Sequence, residues 1–598
     1  MRTKNPPLGI FIAVFTALVI SGALVFTGCM ESDSTRPEPT RYTVTFDVNG
    51  ASGGSVDSAK IVNAGSSITL PDGSGLSKTG AGSSITIPSG SGLTKIEYTF
   101  GGWNTNASGE GTNYDAGSSY KPTGNITLYA KWNAVKFEVV FNNLSGNDIY
   151  LVKVNNSDSI VSAAGTGSVN AAISVIQNTV KNSLSFGELP RMGHPSADAF
   201  RVNHPPIVAQ ALRMQRAVFV PPVVGDIKSF WVETFYRSGV FVEKQATLMA
   251  TGQRGNIWVI EDKITDAQAQ TLADKFDLIY PLETDLLGYE YGGGPGGDGG
   301  KDGDSKIQIL VYDLVDASGG VVSGGYFWNK DFFDNSQLGS EKSNLAEIFY
   351  IDASQVTSNP DYVYSVLVHE FQHMINFNVK SVKHGVNPEV WYDEMLSTMA
   401  QDVIDPLIGI DSTNPYHVIN LWMPAALNNY NLEDVTGWNY TDSTNSYART
   451  FAFGAYLLRN YGGAELLQRI LANDTADIES ITAALNQFSS GLTFEQALKR
   501  YGEAMIFSGS SMPQGVMSFD KTVEKTIYVR TYTAYGFDIW NDFGTTKGPA
   551  VLNLSQREMS PHSISIHSTN EWQNLTGNFS ITLNRPSDPN VVFYLIVK

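Results

Sequence analysis

One apolar run near the middle of the chain, Tyr364 to Phe377, limits the fold more than any other stretch. It carries Val368-His369-Glu370-Phe371-Gln372-His373-Met374. Asn359-Pro360-Asp361 precedes it, supplying a cap residue, a proline for the first helical position and an acid for the first turn. The run is therefore read as a helix with the motif two to three turns in. Residues four apart share a helix face, so His369 and His373 point the same way. Two imidazoles at that spacing reach adjacent corners of a zinc tetrahedron. Glu370, one step round the helix, can reach a water held there without ligating the metal. Such a helix needs cover, and Ile307-Gln308-Ile309-Leu310-Val311-Tyr312 and Ile348-Phe349-Tyr350-Ile351 read as buried strands that could provide it.

A zinc site needs a third protein ligand. An extension of the H-E-x-x-H-x-x-G-x-x-H type would need glycine at 376 and histidine at 379, where this chain has Asn376 and Val379. The other route is a carboxylate from a following helix. Asn387-Pro388-Glu389 repeats the cap-proline-acid signal, and Trp391-Tyr392-Asp393-Glu394-Met395-Leu396-Ser397 follows it. Glu394 is the candidate, almost two turns into that helix. His384, in the intervening turn, is the rival. Asp393 is adjacent but points about 100° away on a helix.

His369-Glu370-Phe371-Gln372-His373-Met374 together with Trp391-Tyr392-Asp393-Glu394-Met395-Leu396-Ser397 resembles the hyicolysin family of secreted bacterial metallopeptidases, in the gluzincin group. The resemblance covers about 250 to 350 residues around the motif, and it implies one Zn2+ per chain on His369, His373 and Glu394, with Glu370 as general base and protein or peptide substrates. Some gluzincins carry a catalytic tyrosine on the helix after the zinc site, which implies Tyr447 as a donor to the developing oxyanion, with His417 as the alternative. Thermolysin-type members place an aspartate four residues after the glutamate ligand to orient a histidine. This chain has Thr398 there, and Asp402 is the expected substitute. An endopeptidase is the first reading. An aminopeptidase of the same class is the second, although the Gly-x-Met-Glu-Asn strand of such enzymes is absent between 300 and 360. A non-catalytic surface binder is the third.

The expected fold class is multidomain: an α+β zincin-like catalytic domain flanked by β-rich domains. Arg2 and Lys4 precede an apolar run, Ile10 to Phe26, ending in Thr27-Gly28-Cys29. Residues 1–28 read as a lipoprotein signal peptide, similar to the bacterial lipoprotein cleavage box, with Cys29 as the acylated first residue of the mature chain. Cys29 is the only cysteine, so no internal disulfide is possible. Residues 29–41 read as a tether. Residues 42–133 are similar to the Listeria–Bacteroides repeat, a β-grasp-like surface module, from Tyr42-Thr43-Val44-Thr45-Phe46, Phe100-Gly101-Gly102-Trp103-Asn104 and Ile126 to Trp132. Within it Ala64-Gly65-Ser66-Ser67-Ile68-Thr69-Leu70-Pro71 recurs as Ala81-Gly82-Ser83-Ser84-Ile85-Thr86-Ile87-Pro88. That glycine- and serine-rich duplication reads as a flexible insertion.

Residues 136–260 read as a β-rich domain, with a poorly structured stretch near 185–215 in which His194 and His204 are inert. The catalytic domain is expected over 261–512. It opens with the capping box Thr265-Asp266-Ala267-Gln268 and a helix to about Leu278. Helices over Tyr447–Asn460 and Gly463–Leu471 and from Thr493 to about Phe507 complete it. The glycine-rich segment Gly292 to Asp304, with Asp298, Asp302 and Asp304, lacks the closing glutamate of an EF-hand and reads as a mobile loop, with Ca2+ the lesser alternative. Residues 513–598 read as a C-terminal β-sandwich that includes Thr526-Ile527-Tyr528-Val529 and Val591 to Val597. A formal net charge of −19 argues against nucleic acid and anionic lipid headgroups as partners. The expected place of work is the bacterial cell envelope, outside the cytoplasm, with the membrane reached through the lipid on Cys29.

Overall fold

The computed structural model describes residues 39–51, 55–72, 78–79, 97–133, 136–162, 191–192 and 219–598, the last range less 322, 429–433, 440–441, 509–514, 545–547, 553–557 and 585–589. Cys29 and the signal segment, the second copy of the duplicated octapeptide (81–88), His194 and His204 lie outside these residues. Two compact units are present.

The N-terminal unit is built on a mixed sheet. Strand Arg41–Asp47 pairs antiparallel with Ala59–Asn63, Tyr42 facing Val62, and parallel with Ile126–Asn133, Phe46 facing Leu128. Alternation buries Val44, Phe46, Val62, Leu128 and Ala130 on one face. Trp103 is fully buried, meets Phe46 edge-on at 4.9 Å and donates its indole N–H to the Pro71 carbonyl at 2.8 Å. Gly102 explains the Gly-Gly-Trp sequence: its φ is +100° and its Cα faces the Tyr114 carbonyl, where a side chain has no room. The first copy of the octapeptide is not an insertion. Ile68–Thr69 pairs with Ser119–Tyr120, and Leu70 is core.

The second unit centres on a seven-stranded sheet. Its labelled strands are β1 (Ile227–Glu233), β2 (Phe241–Thr251), β3 (Gly255–Ile260), β4 (Ile307–Tyr312), β5 (Ser323–Phe327) and β6 (Ile348–Asp352). The order runs from the short strand Arg191–Met192 through β5, β6, β4, β3 and β2 to β1. β3, β4 and β6 are parallel neighbours; β2 runs antiparallel to both β1 and β3, and β5 runs antiparallel to β6 but parallel to Arg191–Met192. The parallel strands are almost wholly buried and read as continuous apolar runs, as strands covered on both faces must.

This sheet corrects the expected boundary at 260/261. β1 to β3 belong to the same sheet as β4 and β6 and share their core. Alternation reveals a strand but not its neighbour. The other part of the expected 136–260 domain pairs elsewhere: Ile149–Asn155 lies between Ser563–His567 and Val591–Val597, and Leu575–Asn584 pairs with Lys136–Asn147. The C-terminal strands are therefore completed by residues from before the sheet. Tyr528 and Val529, read as strand, are the exposed tip of the hairpin formed by Val523–Ile527 and Arg530–Ala534.

Helix α1 (Asp266–Leu287) crosses from β3 to β4. Its capping box is formed as expected: Thr265 Oγ1 accepts from the Gln268 amide, and the Gln268 side chain accepts from the Thr265 amide at 2.8 Å. It runs beyond Leu278, through Pro281, because Ile279, Leu282 and Leu286 continue the buried stripe of Leu272 and Phe276. Packing outweighs the one hydrogen bond a proline removes. After a short helical turn at Ala353–Ser358, the longer helices that follow are α2 (Pro360–Asn376), α3 (Val390–Ile404), α4 (Val418–Asn428), α5 (Ser443–Asn460), α6 (Ala464–Ala472), α7 (Asp477–Phe488) and α8 (Phe494–Ile506). None of the helices among the described residues is long and apolar enough to cross a membrane.

Candidate metal centre

Helix α2 begins at Pro360 with Asp361 in its first turn. Phe371 stacks on Tyr280 of α1 at 5.2 Å and meets Phe276 edge-on. On the sheet side, a Cβ at Gly325 of β5 would lie 2.7 Å from both Val366 Cγ1 and the Tyr350 carbonyl. The bare backbone of Gly325 therefore sets how closely α2 approaches the sheet. Past Asn376 the chain continues as a π-helical segment, Phe377–His384, which ends in an exposed His384 before Gly385. α3 starts two residues later than the sequence suggests: Pro388 lies outside it and Glu389 is its cap residue. Glu394 is thus the fifth helical residue, little more than one turn in.

These two helices bring His369, His373 and Glu394 together. One donor atom from each lies within 4.8 Å of the others, and all three residues are buried. His369 Nε2 is 3.0 Å from Glu394 Oε2, His373 Nε2 is 3.5 Å from the same oxygen, and the two Nε2 atoms are 3.1 Å apart. Glu394 Oε1 is buried without a hydrogen-bond partner. Among the described residues this is the one such group of histidine and carboxylate ligands. His384 is not part of it.

The other ring nitrogens determine the tautomers. His369 Nδ1 faces Gln401 Oε1 at 3.0 Å, and His373 Nδ1 faces Asp393 Oδ1 at 2.9 Å. Both partners are acceptors, so each imidazole carries its proton on Nδ1 and presents a lone pair at Nε2. Two lone pairs and a carboxylate oxygen then converge in a dry pocket, an arrangement that repels itself unless a cation lies between. Tetrahedral zinc holds its N and O ligands about 3.3–3.5 Å apart, close to the three separations observed. The residues fit the metal.

Electrostatics point the same way. Burial opposes charge on His369, but Glu394, the Glu370 charge and Gln401 outweigh it and raise its pKa. Burial likewise works against the Glu394 carboxylate, yet His373 and His369 hold its pKa well below the usual carboxylate range. Glu370, next on α2, is fully buried, and its charge acts on His369 and Tyr362.

The partners of the histidines were not those expected. Asp402 does not orient His369: both its oxygens bind Arg459 of α5, at 2.6 and 3.0 Å. Gln401 takes that place. It lies seven positions after Glu394, two helical turns, and therefore on the same face of α3, whereas Asp402 is one step round. The spacing alone was sufficient to find it. Asp393 also has a part the sequence reading missed. Asn376 Nδ2 donates to its Oδ1 at 2.6 Å while the same oxygen holds His373.

Tyr447, in the first turns of α5, lies with its ring centre 6.2 Å from that of His369. Trp422 stacks on it at 4.9 Å and Trp438 meets it edge-on at 4.9 Å. His417 is placed differently. Its Nδ1 accepts from the Ile419 amide, its Nε2 is buried without a partner, and burial lowers its pKa to about 4 beside Asp402 and Arg459. In the glycine-rich loop, Asp304 spends its oxygens on the Lys306 amide, Asn256 and Gln308, and Asp302 Oδ1 accepts from the Asp304 amide.

Residues 241–527 match the family model described as Peptidase M30. The chain carries a peptidase M30 domain. The M30 match begins at β2, on the sheet side of the boundary expected from sequence. The matching region is thus similar to a family of peptidases. Residues 42–82 and 72–131 each match the Listeria–Bacteroides repeat domain. The chain is 29% identical over 295 residues to the neutral metalloprotease ShpI of Staphylococcus hyicus, covering 47% of this chain and 62% of that protein. It is 31% identical over 127 residues to a protein of Evansella cellulosilytica whose name describes it as Gly-rich and of the membrane, covering 20% of this chain and 12% of that one. The chain thus spans less than two thirds of either relative.

Proposed function

We propose that the protein is a zinc-dependent endopeptidase of the cell envelope, with His369, His373 and Glu394 as metal ligands and Glu370 as general base. The observation that carries the reading is the convergence of two Nε2 lone pairs and a carboxylate oxygen within bonding range of one small cation. Zinc bound there supplies Lewis acidity and lowers the pKa of a bound water to about 7. Glu370, beside His369 and fixed on a buried helix, accepts the water proton and delivers it to the departing amine. The dry surroundings of Glu370 strengthen each of these interactions. Tyr447 is the donor that steadies the charge on the substrate carbonyl oxygen; its two tryptophan neighbours hold the ring in place. Cys29 bears the lipid that ties the chain to the membrane, and the N-terminal repeat acts as a spacer.

The test uses the full chain and an N-acetylated peptide, which an endopeptidase cleaves and an aminopeptidase does not. The parent should hold one zinc and cut internal bonds. Glu370→Gln keeps size and ligands, so its zinc content should match the parent while kcat falls by orders of magnitude, roughly a thousandfold or more. A parent without zinc, or a Glu370→Gln variant with near-parent turnover, sinks the assignment.

A further inference from the structure

Behind the metal pocket runs a line of buried hydrogen bonds leading away from His369. Gln401 presents Oε1 to His369 Nδ1 at 3.0 Å. On its other side Gln401 Nε2 donates to Ser365 Oγ at 2.7 Å and to the Ser365 carbonyl at 3.1 Å. Ser365 Oγ in turn donates to Asp405 Oδ2 at 2.7 Å. All four side chains are 0% exposed, so no water substitutes for a lost partner. Asp405 stands just beyond α3, at the start of the turn Asp405–Ile408, and its Oδ1 is buried without a hydrogen-bond partner.

The bonds have a direction. A hydroxyl has one hydrogen. Because Ser365 gives it to Asp405, its oxygen is left as an acceptor for Gln401. The Ser365 carbonyl is a weaker anchor for that amide, since in a regular helix it already accepts the His369 backbone N–H. With its nitrogen held at Ser365, Gln401 turns its oxygen to His369, and the imidazole must carry its proton on Nδ1. Were the amide reversed, its N–H would meet Nδ1, the proton would move to Nε2, and the lone pair needed for the metal would be lost. Asp405 Oδ2 accepts whether the carboxyl is ionised or protonated on Oδ1.

We infer that Asp405 is a positioning residue that acts through Ser365 and Gln401 to fix the His369 tautomer that can bind metal. This rests on the metal-centre reading above. It assigns to a carboxylate two residues removed from the pocket the part that an aspartate in direct contact would otherwise play.

The experiment measures zinc affinity of the full chain by competition with a chromophoric chelator, alongside the melting temperature of each metal-free protein. Asp405→Leu keeps volume but removes the acceptor, so the Ser365 hydrogen is freed to turn to Gln401 Oε1 and the amide can reverse. Zinc affinity should fall by about tenfold to a hundredfold, the usual cost of a lost partner behind a ligand, while the metal-free protein melts as the parent does. The double variant Gln401→Glu with Asp405→Leu should recover parent-like affinity. A carboxylate at 401 accepts from His369 with either oxygen and needs no orientation from Ser365. Parent-like affinity in Asp405→Leu overturns the inference, and so does failure of the double variant to recover. If Asp405→Leu does not fold, Ser365→Ala with and without Gln401→Glu is read by the same two criteria. A parent that binds no zinc would instead refute the metal centre itself, a separate outcome.

Discussion

Among single residues, the choice between Glu394 and His384 is the sharpest. Glu394 lies inside the pocket on a buried helix, whereas His384 ends an exposed π-helical segment. Glu394→Ala should lower zinc affinity at least tenfold to a hundredfold, the range for a lost partner behind a ligand. His384→Ala should leave metal content unchanged. Zinc stoichiometry after dialysis against a weak chelator reads both, and an empty His384 variant beside a full Glu394 variant would reverse the assignment. The grouping of His369, His373 and Glu394 was legible because helical periodicity is a strong local rule: four positions join the histidines, while the Asn387-Pro388 signal announced the helix that brings Glu394 but misplaced its start by two residues. The partners behind the histidines were harder to see. Asp402 drew attention by its charge, yet Arg459, a distant cation at 0% side-chain exposure, claims it. Charge identifies candidates, and only the helix face decides between Gln401 and Asp402.

At the scale of elements, the close approach of α2 to β5 is the feature most exposed to mutation. Gly325→Val puts a side chain where Val366 and the Tyr350 carbonyl already stand. The helix must move or the strand must bend, and overpacking of this kind costs about 1–3 kcal/mol. Chemical denaturation should show that loss, and zinc affinity should drop with it, because α2 carries both histidines. An unchanged midpoint and unchanged zinc affinity would show that α2 gives way freely. Element starts marked by side-chain chemistry were readable: Thr265 with Gln268 for α1, Pro360 for α2, Thr493 with Gln496 for α8. Element ends were less so. α1 passes Leu278 and Pro281 because its stripe is buried against α2, a tertiary reason that no local signal contains. Strand partnership was least readable, since β1 to β3 carry the same alternation whichever sheet they join.

For the whole molecule, the proposed anchor and the folded units are separable. Cys29→Ser should lose acylation and move from the detergent-soluble membrane fraction to the aqueous one, while peptide cleavage by the chain persists. Unchanged partitioning would remove Cys29 from that role. Lys136–Asn147 and Ile149–Asn155 pair with strands at 563–597, so more than four hundred positions separate the partners in each of two sheets, the larger of which is a three-stranded layer. At Gly502 of α8, a Cβ would lie 2.5 Å from both Val152 and Tyr594, so this layer closes directly onto the last helix of the M30 domain. During synthesis the early strands must therefore stay unpaired, with Ile149, Leu151 and Val154 uncovered, until the ribosome has delivered residues 563–597. Val591–Val597 acts as a clasp: the strands before it can be in place and the layer still lies open until it arrives. A chain cut short by a few dozen residues would retain every proposed zinc ligand yet lack the strands that cover its oldest apolar surface, and is thereby marked as unfinished for whatever surveys misfolded protein.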